Sequence, residues 1–293
     1  MGDYHVHIHP HGPYRGVGPA PGEYPIDHLE AYVEHALANG AHEIAFTEHL
    51  YRCVESHDVL GEWWEADHRE DLVESTRSYV RSERLLSLER YVQAVVDAKD
   101  RGLPVLLGLE VDYFPETAEA VAAFLDPYPF DVLIASTHWI GAWGIDLPEQ
   151  AFEFARRGDR QSYEDYFAVE TQLAASGLFD VLAHSDVVKK QGVFLDEVPK
   201  DLHEELAVAA ARGGTAVEVS TAGLYQPAGE MYPARPLLER FRNHHVPITL
   251  ASDAHIPEHC GRDRDRALDL ARSVGYTDRI EFSRRVGRLV PLI

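Results

Sequence analysis

Cysteine is nearly absent: 293 residues hold only Cys53 and Cys260, far apart and without CxxC spacing. That leaves no basis for a disulfide framework and fits a cytoplasmic setting, with a single Cys53–Cys260 bridge the one pairing left open. No apolar stretch of about 18 residues could span a bilayer. The opening residues lack the basic start and apolar run of a signal peptide. Basic residues are scarce, with 27 Lys and Arg against 49 Asp and Glu, a formal charge of −22. Such a surface repels nucleic acid and anionic membranes over most of its area. An anionic substrate must then be drawn in locally, by a small basic pocket or by bound metal cations. A dinucleotide-type Gly-rich loop, an internal repeat, a low-complexity tract and a linker are all missing.

A hydrophobic fraction of 45% suits a globular chain with a buried core. Short apolar strands alternate with amphipathic helices. "DYHVHI" reads as a strand, and "PIDHLEAYVEHALANG" as a helix with Leu29, Tyr32, Val33, Ala36 and Leu37 at helical spacing and Gly40 as its stop. The strands "EIAFTEH", "LPVLLGLEVDY", "FDVLIASTH", "FDVLAHSD", "TAVEVSTAG" and "VPITLASDAH" follow, separated by helical segments, and "RIEFSRR" reads as a last short strand. Repeated β-α order predicts a parallel sheet, and seven such strands favour a closed α/β barrel over an open sheet. One domain over residues 1–293 is expected. A polar segment over about 51–82, centred on "EWWEADHRED", is too long for a turn; it should carry its own helix and cover the barrel mouth. Its Trp63 and Trp64 read as packing residues.

Four histidines, His5, His7, His9 and His11, alternate in "DYHVHIHPHG". On a strand they would share one face, but Pro10 and Gly12 turn the chain beyond the first pair. The wider pattern is more telling. His5 and His7 end the first strand, His49 follows "EIAFTE", and Glu110 follows "PVLLGL". His138 follows "VLIAST", His184 follows "FDVLA", and Asp253 and His255 follow "ITLAS". In barrels, residues at the C-terminal strand ends converge on one face, where active sites lie. Imidazoles bind zinc, iron or manganese, and a carboxylate can bridge two metals. Glu110 closes an otherwise apolar strand, where an uncompensated charge is costly, so a metal partner is expected. Asp112 reads as orienting a ligand.

The ordered set "HVH", "FTEH", "GLEVDY", "STHWIG", "AHSDVVKK", "EVSTAGL" and "ASDAH" resembles the polymerase-and-histidinol-phosphatase (PHP) superfamily, in its histidinol-phosphate phosphatase-like branch. The resemblance implies a distorted seven-stranded (β/α)7 barrel and a centre of three divalent ions of zinc, iron or manganese. It implies that His5, His7, Glu110 and Asp253 hold the first ion, and bridging Glu110 with His138 and His184 the second. His49, His255 and a third histidine, His11 with His9 as competitor, would hold the last. The implied activity is phosphomonoester hydrolysis, a metal-bridging hydroxide attacking phosphorus in line, as in conversion of L-histidinol phosphate to L-histidinol and phosphate. The catalytic residues are then Glu110, with Asp253 or His255 as proton donor to the leaving alcohol.

Candidate cations for a small phosphorylated substrate are Lys189, Arg157, Arg160 and Arg235. Relatives often carry basic residues directly after "TAGL", where this chain has Tyr225 and Gln226. The alternatives are another PHP phosphoesterase or phosphodiesterase, or an amidohydrolase-like enzyme. Against the last, Glu110 stands where such barrels commonly place a modified lysine.

Overall fold

The computed structural model describes residues 2–9 and 11–292; Pro10, assigned above to the turn after the histidines, lies outside the described residues. The strands in chain order are β1 (Gly2–Val6), β2 (Glu43–Phe46), β3 (Val105–Asp112), β4 (Val132–Ser136), β5 (Trp139–Ile140), β6 (Trp143–Gly144), β7 (Val181–Leu182), β8 (Ala216–Ser220), β9 (Ile248–Ala251), β10 (Asp278–Ser283) and β11 (Val286–Pro291). The helices are α1 (Ile26–Ala38), α2 (His57–Leu60), α3 (Glu70–Glu83), α4 (Leu88–Asp100), α5 (Ala118–Leu125), α6 (Phe152–Arg157), α7 (Asp159–Ser176), α8 (Lys200–Gly213), α9 (Arg235–Asn243) and α10 (Arg264–Ser273).

Seven strands form one parallel sheet in the order β1-β2-β3-β4-β7-β8-β9. The first and last strands meet: Val6 bridges Ala254, and the His7 N–H donates to the Ala254 carbonyl at 2.8 Å. The fold is therefore a distorted (β/α)7 barrel, as the strand count predicts. Two irregularities make the distortion. The β1–β2 register shifts between Asp3 and Val6, and β7 is only two residues long. Asp3 staples the closing seam by accepting hydrogen bonds from the backbone N–H groups of Ser252 (2.9 Å) and Gly261 (2.8 Å).

The helices form where the apolar spacing predicts. In α1, Leu29, Tyr32, Val33 and Ala36 are buried, and Gly40 takes the positive φ of 81° that turns the chain out. In α4, the Ser87 hydroxyl caps the first turn by accepting from the Arg90 N–H. Their apolar faces pack on the outward residues of the strands, such as Phe46, Leu107 and Leu109.

The expected last short strand is β10, and it stands apart from the seven barrel strands. It pairs antiparallel with β11, and the hairpin plugs the N-terminal mouth. Ile280 and Phe282 pack against Tyr4, Ala45, Val132, Val181 and Ala216, and Arg285 bonds Asp180 at 3.0 Å. With that end sealed by apolar side chains, only the C-terminal mouth is left to polar ones. Segment 51–82 carries α2 and most of α3. Trp64 is fully buried, and Trp63 packs on Phe114 at 4.6 Å, which is structural packing as expected. α3 docks through the Thr76 hydroxyl, which donates to the Ala142 carbonyl at 2.6 Å. Both cysteines are buried and free.

Gly108 marks the tightest backbone approach in β3. A Cβ there would lie 2.7 Å from Thr47 Cγ2 and 2.9 Å from the Phe46 carbonyl. Gly108→Ala should therefore destabilise by about 1–3 kcal/mol, against the usual gain of replacing glycine in a strand. A shift in urea midpoint checks this, and an unchanged midpoint would contradict it.

Candidate metal centre

The C-terminal strand ends bring together every residue assigned above to metal binding. His5 lies in β1 and His7 just past it; Glu110 lies in β3 and is bridged by the backbone of His49. His138, His184, Asp253 and His255 follow β4, β7 and β9. His184 (φ 25°) and Asp253 (φ 52°) adopt left-handed conformations that cost a non-glycine residue about 1–3 kcal/mol each. Surrounding hydrogen bonds hold that strain, among them the His184 N–H donating to Glu218 Oε1 at 2.7 Å.

The donor spacing is that of coordination polyhedra. Ligand atoms set tetrahedrally at 2.0–2.1 Å from a zinc ion are about 3.3 Å from one another. His5 Nε2 lies 3.0 Å from His7 Nε2, 3.3 Å from Glu110 Oε2 and 3.5 Å from Asp253 Oδ1. His7 Nε2 lies 3.5 Å from Glu110 Oε2 and 3.2 Å from Asp253 Oδ1. On the other carboxylate oxygen, Glu110 Oε1 is 3.1 Å from His184 Nε2 and 3.7 Å from His138 Nε2, and those two nitrogens are 3.3 Å apart. A third group forms around His11, whose Nε2 is 3.2 Å from both His49 Nε2 and His255 Nε2. His49 Nδ1 also sits 2.8 Å from Glu110 Oε2, yet both atoms are buried without an aligned hydrogen bond. Such orphaned donors and acceptors, converging without bonding, fit a cation in a way that a hydrogen-bond network does not. His5, His7 and Glu110 form one potential metal cluster; His49, Glu110 and His138 form another; His7, His49 and His255 form a third.

Partners outside these clusters set which ring nitrogen faces inward. His138 Nδ1 lies 2.7 Å from Asp112 Oδ1, and His5 Nδ1 lies 2.9 Å from Glu218 Oε2. Each carboxylate accepts a hydrogen bond from the Nδ1–H, which turns Nε2 toward the cluster. Glu218 was overlooked in the sequence, although it interrupts the apolar run "AVEVS" as Glu110 interrupts its own strand. Arg52 was overlooked too. Its Nη1 donates to the His9 carbonyl at 2.8 Å and to Glu48 Oε2 at 3.2 Å, bracing the loop that carries His11. The His9 ring points elsewhere, packed edge-on against Tyr24 at 4.8 Å.

Electrostatics readies only part of the donor set. Burial would lower His5 and His138, but Glu218 and Glu110 raise His5 well above its ordinary value, and Glu110 and Asp112 raise His138 to about 9, so a metal would have to displace their protons. Burial would raise Glu110, but His49, His5 and His138 outweigh it and hold the carboxyl well below its usual range. Burial would raise Asp253 as well, and His5 and His7 hold it low. Burial drives His7 and His11 well below the ordinary imidazole value, with neighbouring cationic groups adding to it, and pushes His255 down to about 4.

A cleft of about 570 Å³ opens above these donors. Tyr79 of α3 supplies part of its wall, alongside Tyr14, Asp146 and Tyr232. None of the four cations expected to grip the substrate lines it. Arg157 pairs with Glu153 and Asp165 and stacks on Trp143; Arg160 pairs with Glu164 and Asp201; Arg235 pairs with Glu239. Lys189 is buried between Asp186 (2.8 Å) and Glu230 (3.0 Å). Each is satisfied by an acid three or four residues away, spacing that the sequence displays, and all but Arg235 have a second acid as well. The lysine and arginine that do line the cleft are Lys190 and Arg262.

Residues 25–222 match the PHP domain model. The chain is 34% identical over 244 residues to a probable histidinol-phosphatase of Deinococcus radiodurans, covering 83% of this chain and 86% of that protein. The chain belongs to the PHP domain family. It is 27% identical over 253 residues to a Bacillus subtilis histidinol-phosphatase, covering 78% of this chain and 87% of the relative. Its fold matches the Lactococcus lactis histidinol phosphate phosphatase crystallised with zinc, L-histidinol and phosphate: TM-score 0.67, 22% identity, 98% of each chain covered. The matched segment of this PHP domain stops short of Asp253 and His255 and begins after His5 and His7, so the barrel closure completes the cluster.

Beneath His138 in this PHP domain lies a further buried acid, Glu170 of α7. Its Oε2 accepts from the Thr137 hydroxyl at 2.7 Å, and its Oε1 has no partner. Burial pushes its pKa up to about 8. The folded state therefore holds a proton that the unfolded chain releases near pH 4.5, so this group's contribution to stability is lost as pH rises from about 4.5 to 8. Glu170→Gln should flatten that decline: little change in Tm at pH 4.5, and a gain of a few degrees, roughly 2–4 °C, at pH 8.5. A Tm difference independent of pH would contradict a raised Glu170.

Proposed function

We propose that this PHP domain is a metal-dependent phosphomonoesterase that hydrolyses L-histidinol phosphate to L-histidinol and inorganic phosphate. The observation that carries the reading is the double use of Glu110: its two carboxylate oxygens face two separate sets of imidazoles at coordination spacing. The names of the relatives and the ligands of the Lactococcus structure support the substrate.

Three divalent ions of the zinc, iron or manganese class would be held by His5, His7, Glu110 and Asp253; by Glu110, His138 and His184; and by His11, His49 and His255. When bound, such ions neutralise phosphoryl charge and lower the pKa of water to near neutrality, supplying the nucleophile. The chain's own residues do the rest. Glu110 fixes the separation of the first two sites. Asp112 and Glu218 hold His138 and His5 in the tautomer that presents Nε2. Asp253 and His255 are better suited as ligands than as proton donors, because both are held in their deprotonated forms at neutral pH. The apolar plug at the far mouth confines chemistry to one end of the barrel. No helix among the described residues is long and apolar enough to cross a membrane. The two free, buried thiols support a cytoplasmic setting.

The zinc-loaded protein should release phosphate from L-histidinol phosphate, lose that activity on chelation and regain it on metal return. Glu110→Gln should lower kcat by about a thousandfold or more, since it removes the shared ligand. No phosphate release from L-histidinol phosphate or from a panel of phosphomonoesters would refute the proposal. Asp112→Asn should weaken metal affinity by roughly 10- to 100-fold; a chelator titration followed by metal analysis measures it, and unaltered affinity would remove Asp112 from its orienting role.

A further inference from the structure

We infer that Arg262 is the residue that grips the phosphate of the substrate, and that Tyr225 positions it. This rests on the phosphatase reading of the cleft and names the cation which that reading needs.

A phosphate dianion entering a protein of charge −22 is favoured by a local cation not already neutralised, beside any bound metal ions. Lys190 lines the cleft but is bound to Asp146 at 2.7 Å. Arg262 lines it too and has no carboxylate at ion-pair distance among the described residues, and its buried Nε has no hydrogen-bond partner. Its neighbours Arg264 and Arg266 pair with Asp265 and Asp263. Arg262 is thus the exception within its own charge run.

The side chain is held for use. Its guanidinium carbon lies 3.9 Å over the Tyr225 ring, and the Tyr225 hydroxyl donates to the carboxylate of Asp263. The Arg262 carbonyl accepts from the Thr221 hydroxyl at 3.0 Å, which ties this loop to the end of β8. Stacking occupies the face of a guanidinium and leaves its in-plane N–H groups available. Those groups match phosphate oxygens in a two-point contact. The aromatic residue after "TAGL" and an arginine some forty positions later thereby form one cationic unit at the cleft. Asp253 and His255, from the loop that leads to Arg262, line the same cleft.

The test compares wild type, Arg262→Ala, Arg262→Lys, Tyr225→Ala and Tyr225→Phe, all zinc-loaded and checked for equal metal content and Tm. Arg262→Ala should raise KM for L-histidinol phosphate, and weaken competitive inhibition by inorganic phosphate, by about 10- to 100-fold, the effect of losing a charged hydrogen bond. Arg262→Lys should recover only part of this, because an ammonium cannot make the two-point contact. Tyr225→Ala should raise KM with a smaller effect on kcat, and Tyr225→Phe, which keeps the ring, should restore affinity. Values for Arg262→Ala within twofold of wild type in both KM and phosphate inhibition overturn the inference. If the wild type proves inactive on L-histidinol phosphate, the substrate reading fails separately. Titration calorimetry of inorganic phosphate into wild type and Arg262→Ala then still decides: a 10-fold or greater loss supports the role, and equal binding overturns it.

Discussion

A single buried carboxylate organises the mouth of this barrel. Glu110 stands fully enclosed at the end of β3, among strands whose inward residues below it are apolar. A charge in that position is tolerable only if compensated. Compensation comes from imidazoles on both oxygens: His5, His7 and His49 around one, His138 and His184 around the other. Because those histidines sit at the ends of β1, β2, β4 and β7, satisfying Glu110 requires the sheet to curl around the end of β3. The seam between β1 and β9, stapled by Asp3, then adds Asp253 and His255 to the same centre. Barrel closure thus completes the site that the curved sheet begins around Glu110.

The polar ring around Glu110 is graded. Residues facing inward are held as the ionised carboxylates and, for His7, His11 and His255, the neutral imidazoles that a metal accepts. Behind them Asp112 and Glu218 set ring orientation. Farther out, Lys190 and Asp146 neutralise each other in the cleft wall. Arg262 breaks that pairing, which is why it stands out as a contact for an anion.

Much of the architecture was legible in the sequence because parallel barrels obey local rules. Each strand is a short apolar run, each helix has a buried stripe, and polar residues at strand ends have few places to go except the mouth. Eight of the nine residues assigned to metal binding were found this way, and His11 through the family resemblance; the structure brings all nine side chains to the same mouth. What was left open or missed depends on long-range contacts. β10 reads as a strand, but whether it joins the barrel or folds back on β11 depends on Phe282 and Ile280 finding Tyr4 at the far mouth, a contact across nearly the whole chain. Lys189, Arg157, Arg160 and Arg235 each have an acid three or four residues away that the sequence displays; Glu230 and Asp201, the second acids of Lys189 and Arg160, are brought to them by the fold. Arg262 was hidden in the run "RDRDR", whose other arginines pair with Asp265 and Asp263. Glu218 carried the same signal as Glu110 and could have been read from it.

The central claim is that Glu110 bridges two cations. Anomalous diffraction from crystals of the protein purified without chelator, collected across the zinc, iron and manganese edges, addresses it directly. The account requires two anomalous peaks on opposite oxygens of Glu110, one within bonding distance of His5, His7 and Asp253 and the other of His138 and His184, with a third among His11, His49 and His255. Crystals in which Glu110 touches no metal, or in which one ion sits alone and leaves His138 and His184 unligated, would contradict it.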